Sequence, residues 1–235
     1  MHAQGIYRRW WNWITTKVKR KKLSESVELI TSYNEANILD HSEWLHNLNH
    51  LKDDRYYVSL LIKGIPLTLI PKHTWLGFKL LIEGLDLKRA DRSLRPYMKF
   101  LEERLQYLPK GWVLQGVLVS SLMPDDIYKN GTHFYVYNVM QNGRCLAPSE
   151  YGHVLKYLKI DTVPYFKLDL GTICIEEELQ AYVDNLKFTP GCYHVGIDPQ
   201  GSHPHKGIMI RNADNSLRFK IESKKYEDYY RTHHS

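Results

Sequence analysis

Two short apolar runs, Leu67–Ile70 and Phe78–Ile82, constrain this chain most. Each is too short for a helix, and as a pair they call for strands buried in a sheet. Between them lies Pro71-Lys72-His73-Thr74-Trp75-Leu76-Gly77, which reads as a lysine at the mouth of a turn followed by a strand. A lysine held at the edge of a core, partly desolvated or beside another cation, is a candidate nucleophile. The plain alternative is a surface lysine after a proline, its stem lying on apolar surface and its amine in water.

The rest of the chain supplies the setting. With 235 residues and 43% hydrophobic content there is enough apolar material for one main domain with an appendage. A formal charge of +6 favours a polyanionic partner, although a solvated basic face gives the same balance. Cys145, Cys174 and Cys192 are odd in number and far apart, so they indicate neither a disulfide framework nor a zinc site, and a reducing cytoplasm is expected. No apolar run approaches the roughly 20 residues that cross a bilayer, and the N-terminus has no uninterrupted signal core.

Residues 1–52 are expected to form a basic, Trp-rich helical segment ahead of a domain spanning 53–235. Arg8, Arg9, Trp10, Trp11 and Trp13 lead into Lys17, Lys19, Arg20, Lys21 and Lys22. Cations and indoles in that order suit RNA phosphates and bases, or an anionic membrane surface; the alternative is a helix that packs its tryptophans on the domain. From Ser24 to Lys52 the apolar spacing is helical. His41, His46 and His50 fall near one face, but no carboxylate completes a metal site, so no metal ligand is assigned.

Tyr56–Ile62 reads as a strand turned by Lys63-Gly64, and a further strand is expected to run to about Lys88. Ser93 is a candidate N-cap for a helix carrying Leu94, Met98, Leu101, Leu105 and Leu108, stopped by Pro109-Lys110-Gly111. Strands are expected over Trp112–Ser120 and His133–Val139, with Tyr135 and Tyr137 on one face. Helices are expected over Pro148–Leu158 and Ile175–Lys187, the latter opening on Glu176-Glu177-Glu178, which suits a helix N-terminus. Lys206–Arg211 and Leu217–Ile221 read as paired strands, with Arg218 and Lys220 on one face needing an anion or water.

In this order, residues 56 to 226 resemble the covalent nucleotidyltransferase superfamily, and most of all the ATP-dependent RNA ligases of the double-strand and RNA-editing branch. The resemblance implies an α+β fold: a ligase-type nucleotidyltransferase core with antiparallel sheets flanking a nucleotide cleft, plus the helical N-terminal extension. In that family a lysine followed by x-[Asp/His]-Gly attacks the α-phosphate of ATP, a role the resemblance gives to Lys72. Arg92, 20 residues on, stands where a phosphate-contacting arginine is expected. Gln115-Gly116-Val117-Leu118-Val119 is similar to a Gly-Glu-Leu strand. Phe134–Val139 is similar to a Phe-x-Val-Phe-Asp-Ile strand whose second aromatic, here Tyr137, stacks on adenine. Thr162-Val163-Pro164 matches a Val-Pro element. Lys206–Arg211 stands for Glu-Gly-[Ile/Val]-Val-x-Arg, and Arg218 and Lys220 for two phosphate-binding lysines.

The departures are chemical. Thr74-Trp75 replaces [Asp/His]-Gly after Lys72, Val117 and Lys206 stand where the family has glutamates for ribose and metal, and Asn138 replaces the strand acid. Hard magnesium is held by carboxylates and phosphates, which a lysine cannot replace, and losing one such electrostatic stabiliser typically costs on the order of 10²- to 10³-fold in rate. Relatives usually carry a further C-terminal domain, and Ser223–Ser235 is expected to be too short and polar for one. The resemblance therefore implies a diverged domain that binds ATP or a related nucleotide, or a phosphorylated RNA end, through Lys72, Arg92, Tyr137, Lys206, Arg218 and Lys220, with catalysis reduced or lost. One alternative is an active ligase using Lys72 and Mg²⁺, with acids from Asp91, Asp198 or Glu222. Another is an interaction protein with a vestigial cleft. A single-core protein of this kind suits a phage or other mobile element.

Overall fold

The computed structural model describes residues 56–75, 77–84, 94–120, 131–166, 176–188, 200–212 and 218–234. The expected N-terminal helix with its basic cluster, the histidines at 41–50, Arg92, and the continuation of a strand to Lys88 lie outside them.

Two antiparallel sheets make the frame. The first runs β11 (Arg218–Glu222), β10 (Gly207–Asn212), β1 (Tyr56–Leu60), β7 (Tyr165–Phe166). The second runs β3 (Gly77–Glu83), β2 (Ile65–Thr74), β4 (Trp112–Ser120), β5 (Thr132–Gln141), β6 (Arg144–Cys145). A small ladder pairs β8 (Lys187–Phe188) with β9 (His203–Pro204). Strands β4 and β5 are buried along almost their whole length, with the polar Gln115 and Asn138 buried among apolar neighbours.

Helices close the outer faces. Helix α1 (Arg95–Leu105) and helix α2 (Pro148–Tyr157) bury Met98, Leu101, Leu105, Tyr151 and Leu155 in one cluster with Leu67, Leu69, Leu114 and Phe134 of the second sheet. Helix α3 (Glu176–Asp184) contributes Leu179 and Val183 to the other cluster, with Val58, Leu60, Ile208, Ile210, Phe219 and Ile221. At about 1.5–3 kcal/mol per fully buried aliphatic or aromatic side chain, these two clusters are the main stabilising term of the fold.

Two expectations are corrected. The N-cap of α1 is the buried Leu94, with no side-chain cap, and Pro96 sets the first turn; the helix ends at Leu105, before the expected stop at Pro109. The short polar tail forms a helix, α4 (Lys224–His234), whose start is capped by Ser223, the hydroxyl oxygen accepting from the Tyr226 N–H at 3.2 Å. Finally, Lys72 lies within a strand rather than at a turn before one. It pairs with Lys79 beyond Leu69↔Leu114, the last pair of β2 with β4, on a two-stranded arm closed at Trp75.

Candidate functional site

One face of the first sheet carries Arg218 and Lys220, two of the five singled-out residues that the structure describes. Antiparallel register sets Ser59 beside Met209 and Met209 beside Lys220, and likewise Tyr57 beside Arg211 and Arg211 beside Arg218. Directly opposed residues share a face, so Tyr57, Ser59, Met209, Arg211, Arg218 and Lys220 form one surface, which Glu222 extends. Leu61 continues that line past the end of β1, its N–H donating to the Gly207 carbonyl at 2.9 Å. The opposite face, with Val58, Leu60 and Ile208, belongs to the core with α3.

The second sheet meets this surface through Val117, Val119, Tyr135 and Tyr137, which share a buried cluster with Leu61 and Met209. The register of β4 with β5 slips from Gln115↔Asn138 to Gly116↔Val136, so Tyr137 is the extra residue of a bulge. Bulges re-aim a side chain, and this one keeps both Tyr135 and Tyr137 in the inter-sheet cluster. Asn138, on the far side of the bulge, is committed to the fold, its amide donating to Gln115 Oε1 at 2.8 Å.

At one end of the surface sits an ion cluster. The Lys220 ammonium donates to Glu222 Oε1 at 3.0 Å, and the Lys206 ammonium lies 3.8 Å from the same oxygen. Two cations share one carboxylate in a partly buried setting. The donor set does not fit a hard divalent cation: the one carboxylate already serves two ammonium groups, and both would repel the metal.

At the other end is a buried guanidinium. Arg211, 4% exposed, donates from Nη2 to the hydroxyls of Tyr151 at 3.2 Å and Tyr165 at 3.3 Å. The two hydroxyls lie 2.7 Å apart, and Tyr165 donates to the Tyr137 carbonyl at 3.2 Å. This network ties the first sheet to α2 and to the bulge of the second. Burial works against the charge of Arg211, but the Tyr165 and Tyr151 oxygens outweigh it and its pKa stands above the ordinary value. Burial pushes the Tyr151 phenol well above its own.

The junction between the sheets is the tetrapeptide Leu61-Ile62-Lys63-Gly64, which sequence reasoning passed over as a simple turn. Gly64 is required by space: a Cβ there would lie 2.3 Å from Val117 Cγ1 and 2.5 Å from the Leu118 carbonyl oxygen. Lys63 rests on the ring of Tyr230, its ammonium 3.3 Å from the centroid, so α4 covers this junction. The signal that could have found the site was the glycine after a strand that must pair with Lys206–Arg211. Lys72, on the exposed arm of the second sheet, is not brought to this group.

No protein-family model and no curated protein sequence matches the chain. Solved structures do. An RNA ligase variant of Naegleria gruberi with ATP and manganese superposes with a TM-score of 0.62 at 18% identity, over 86% of this chain and 58% of that one. A second variant, with AMP and manganese, gives 0.62 at 17% identity over 90% and 59%, and the ligase with pyrophosphate gives 0.61 at 17% over 90% and 63%. The chain therefore spans about three fifths of the length of those ligases, and at this identity the likeness is one of fold. The α+β core of two antiparallel sheets has an RNA-ligase-like fold.

Proposed function

We propose that this chain is a nucleotide-binding protein on a ligase fold that does not form a lysyl-nucleotide intermediate, and that it holds a nucleotide or a phosphorylated RNA end between its two sheets. One observation carries the reading. In the family motif the lysine stands three residues before a glycine, and Gly64 at the sheet junction is the glycine in a position to match it. Three residues before Gly64 is Leu61, 1% exposed, on the face shared with Met209 and Lys220. A leucine has no lone pair with which to attack phosphorus, and Lys63 takes the place of the Asp or His. On this reading Lys206, Arg218 and Lys220 take the phosphates and Tyr137 takes the base, with Arg92 as a further phosphate contact. The Lys206–Glu222 pair replaces a glutamate by a cation and supplies the balancing acid from the next strand, which keeps a binding surface while removing a metal ligand. The solved ligases with ATP, AMP and pyrophosphate support nucleotides as the ligand class.

Incubation with α-labelled ATP and Mg²⁺ or Mn²⁺, followed by denaturing electrophoresis, tests the chemistry. No covalent band is expected from the wild type. A band that disappears in Lys72→Ala overturns the proposal in favour of an active ligase. Thermal shift in EDTA tests the binding: at 100 times Kd a ligand adds about 2.7 kcal/mol. ATP is expected to raise the Tm of wild type and Lys72→Ala alike, and to do less for Lys220→Met. If no nucleotide and no 5′-phosphorylated oligonucleotide shifts the melt, the cleft is vestigial.

A further inference from the structure

We infer that the β2–β3 arm is a second, independent contact site, which grips single-stranded nucleic acid by stacking an unpaired base on Trp75 and bracketing a phosphate between Lys72 and Lys79.

The first observation is electrostatic. Lys72 and Lys79 are directly opposed across the β2–β3 ladder, and both are exposed. Among the described residues neither has a carboxylate within ion-pair distance. Like charges at directly opposed positions destabilise a strand pair, so the arm carries a repulsion that an anion between the two ammonium groups would remove. Ile70 and Leu81, the pair two residues inward, pack on that same side against Val113 and Met140, so the lysines stand at the end of an apolar platform that turns cationic toward the tip.

The second observation is Trp75. Its side chain is 92% exposed at the tip of the arm, an unfavourable place for an indole. Beneath it the ladder ends on Thr74 and Gly77: the Thr74 hydroxyl donates to the Gly77 carbonyl at 3.0 Å, and Gly77 takes a φ of +123° that L side chains rarely adopt. His73 and Phe78, paired on the other side, meet edge to face with centroids 5.3 Å apart. The indole thus follows directly on the last paired residue of β2. An aromatic platform beside paired cations is the combination that binds single strands, since every base offers a π-face and every linkage a charge. A duplex offers no unpaired base to such a tip. The arm lies apart from the Lys206–Glu222–Lys220 cluster, so this inference stands whether or not the cleft binds a nucleotide.

The test is fluorescence anisotropy of the full chain with a labelled 12-nucleotide single-stranded RNA, its DNA counterpart and a blunt RNA duplex, across a salt series. Trp75→Ala is expected to weaken single-strand binding by about 5- to 150-fold, the equivalent of losing one base–aromatic stack at about 1–3 kcal/mol. Trp75→Tyr is expected to restore most of it. Lys72→Gln with Lys79→Gln is expected to reduce the salt slope by about 1.4, from two phosphate contacts at about 0.7 each. All three changes are on the surface, and equal Tm values check the fold. The inference is overturned if the wild type does not bind single strands, if duplex binds as well as single strand, or if the variants bind as wild type does. It is likewise overturned if Trp75→Ala abolishes sedimentation with anionic phosphatidylserine vesicles while leaving RNA binding intact, which would make the arm a membrane contact.

Discussion

Gly64→Ala is a sharp test of how the two sheets are joined. The new methyl carbon would sit 2.3 Å from Val117 Cγ1, 2.5 Å from the Leu118 carbonyl oxygen and 3.2 Å from the Leu118 carbonyl carbon. The Val117 methyl can rotate away only into the inter-sheet cluster, which is already closed by Leu61, Tyr135 and Tyr137. The carbonyl cannot move without disturbing the β2–β4 ladder, because Leu118 is the register partner of Ile65, the residue after the glycine. Overpacking of this kind costs about 1–3 kcal/mol, and sometimes more where backbone must shift. At about 2–4 °C per kcal/mol for a chain of this size, the Tm is expected to fall by about 2–12 °C, read by circular dichroism. Gly152→Ala in α2 is the matched control: a Cβ there meets nothing within 4 Å, and the gain in helix propensity should stabilise by about 0.5–1 kcal/mol. If Gly64→Ala melts within about 1 °C of wild type, the close approach at the junction is not what fixes this glycine. The match between Gly64 and the family glycine would then lose its physical footing.

Tyr165→Phe removes the hydroxyl that bonds Tyr151, Arg211 and the Tyr137 carbonyl; urea denaturation is expected to show a loss of about 1–3 kcal/mol with an unchanged m-value. Burial raises the phenols of Tyr97, Tyr135 and Tyr151 in the folded state, so the unfolded chain releases those protons first. Stability is therefore intact below the ordinary tyrosine value near 10 and falls above it, by roughly 4 kcal/mol per pH unit for three such groups; phenolate absorbance rising in step with unfolding would confirm it. Glu222→Gln leaves Lys206 and Lys220 sharing a neutral oxygen, which should lower the Tm at low salt and raise affinity for inorganic triphosphate, measured by calorimetry.

Much of the fold was legible because its strands obey local rules. Trp112–Ser120, His133–Val139 and Lys206–Arg211 announced themselves by β-branched and aromatic content, and their order carried the resemblance to RNA ligases. Helix α4 was not legible: among the described side chains of 224–232 only Tyr226 is buried, so no apolar stripe marks it, and only Ser223 signals its start. The site was half legible. Arg218 and Lys220 share a face by simple alternation, which the structure bears out. The carboxylate between Lys206 and Lys220 depends on register across β10 and β11, and Leu61 gains its meaning from pairing with a strand far along the chain. Arg211 was visible as a motif residue, but nothing local foretells three tyrosines from separate elements converging on it.

That pairing also governs how the molecule can come into being. Strand β1 is hydrogen-bonded to β7 and β10, its partners lying about 105 and about 150 residues later in the chain. During synthesis at about 5–20 residues per second, Tyr56–Leu60 would wait roughly 8 to 30 s for β10 to emerge. Over that interval the edge of β1 that β10 will cover stays open, even after β7 has been made, whereas the β2–β3 arm can close as soon as it is made. The order of assembly is therefore fixed by topology: the arm that carries Trp75 forms early, and the surface that carries Lys220 forms last, on a slow, non-local step.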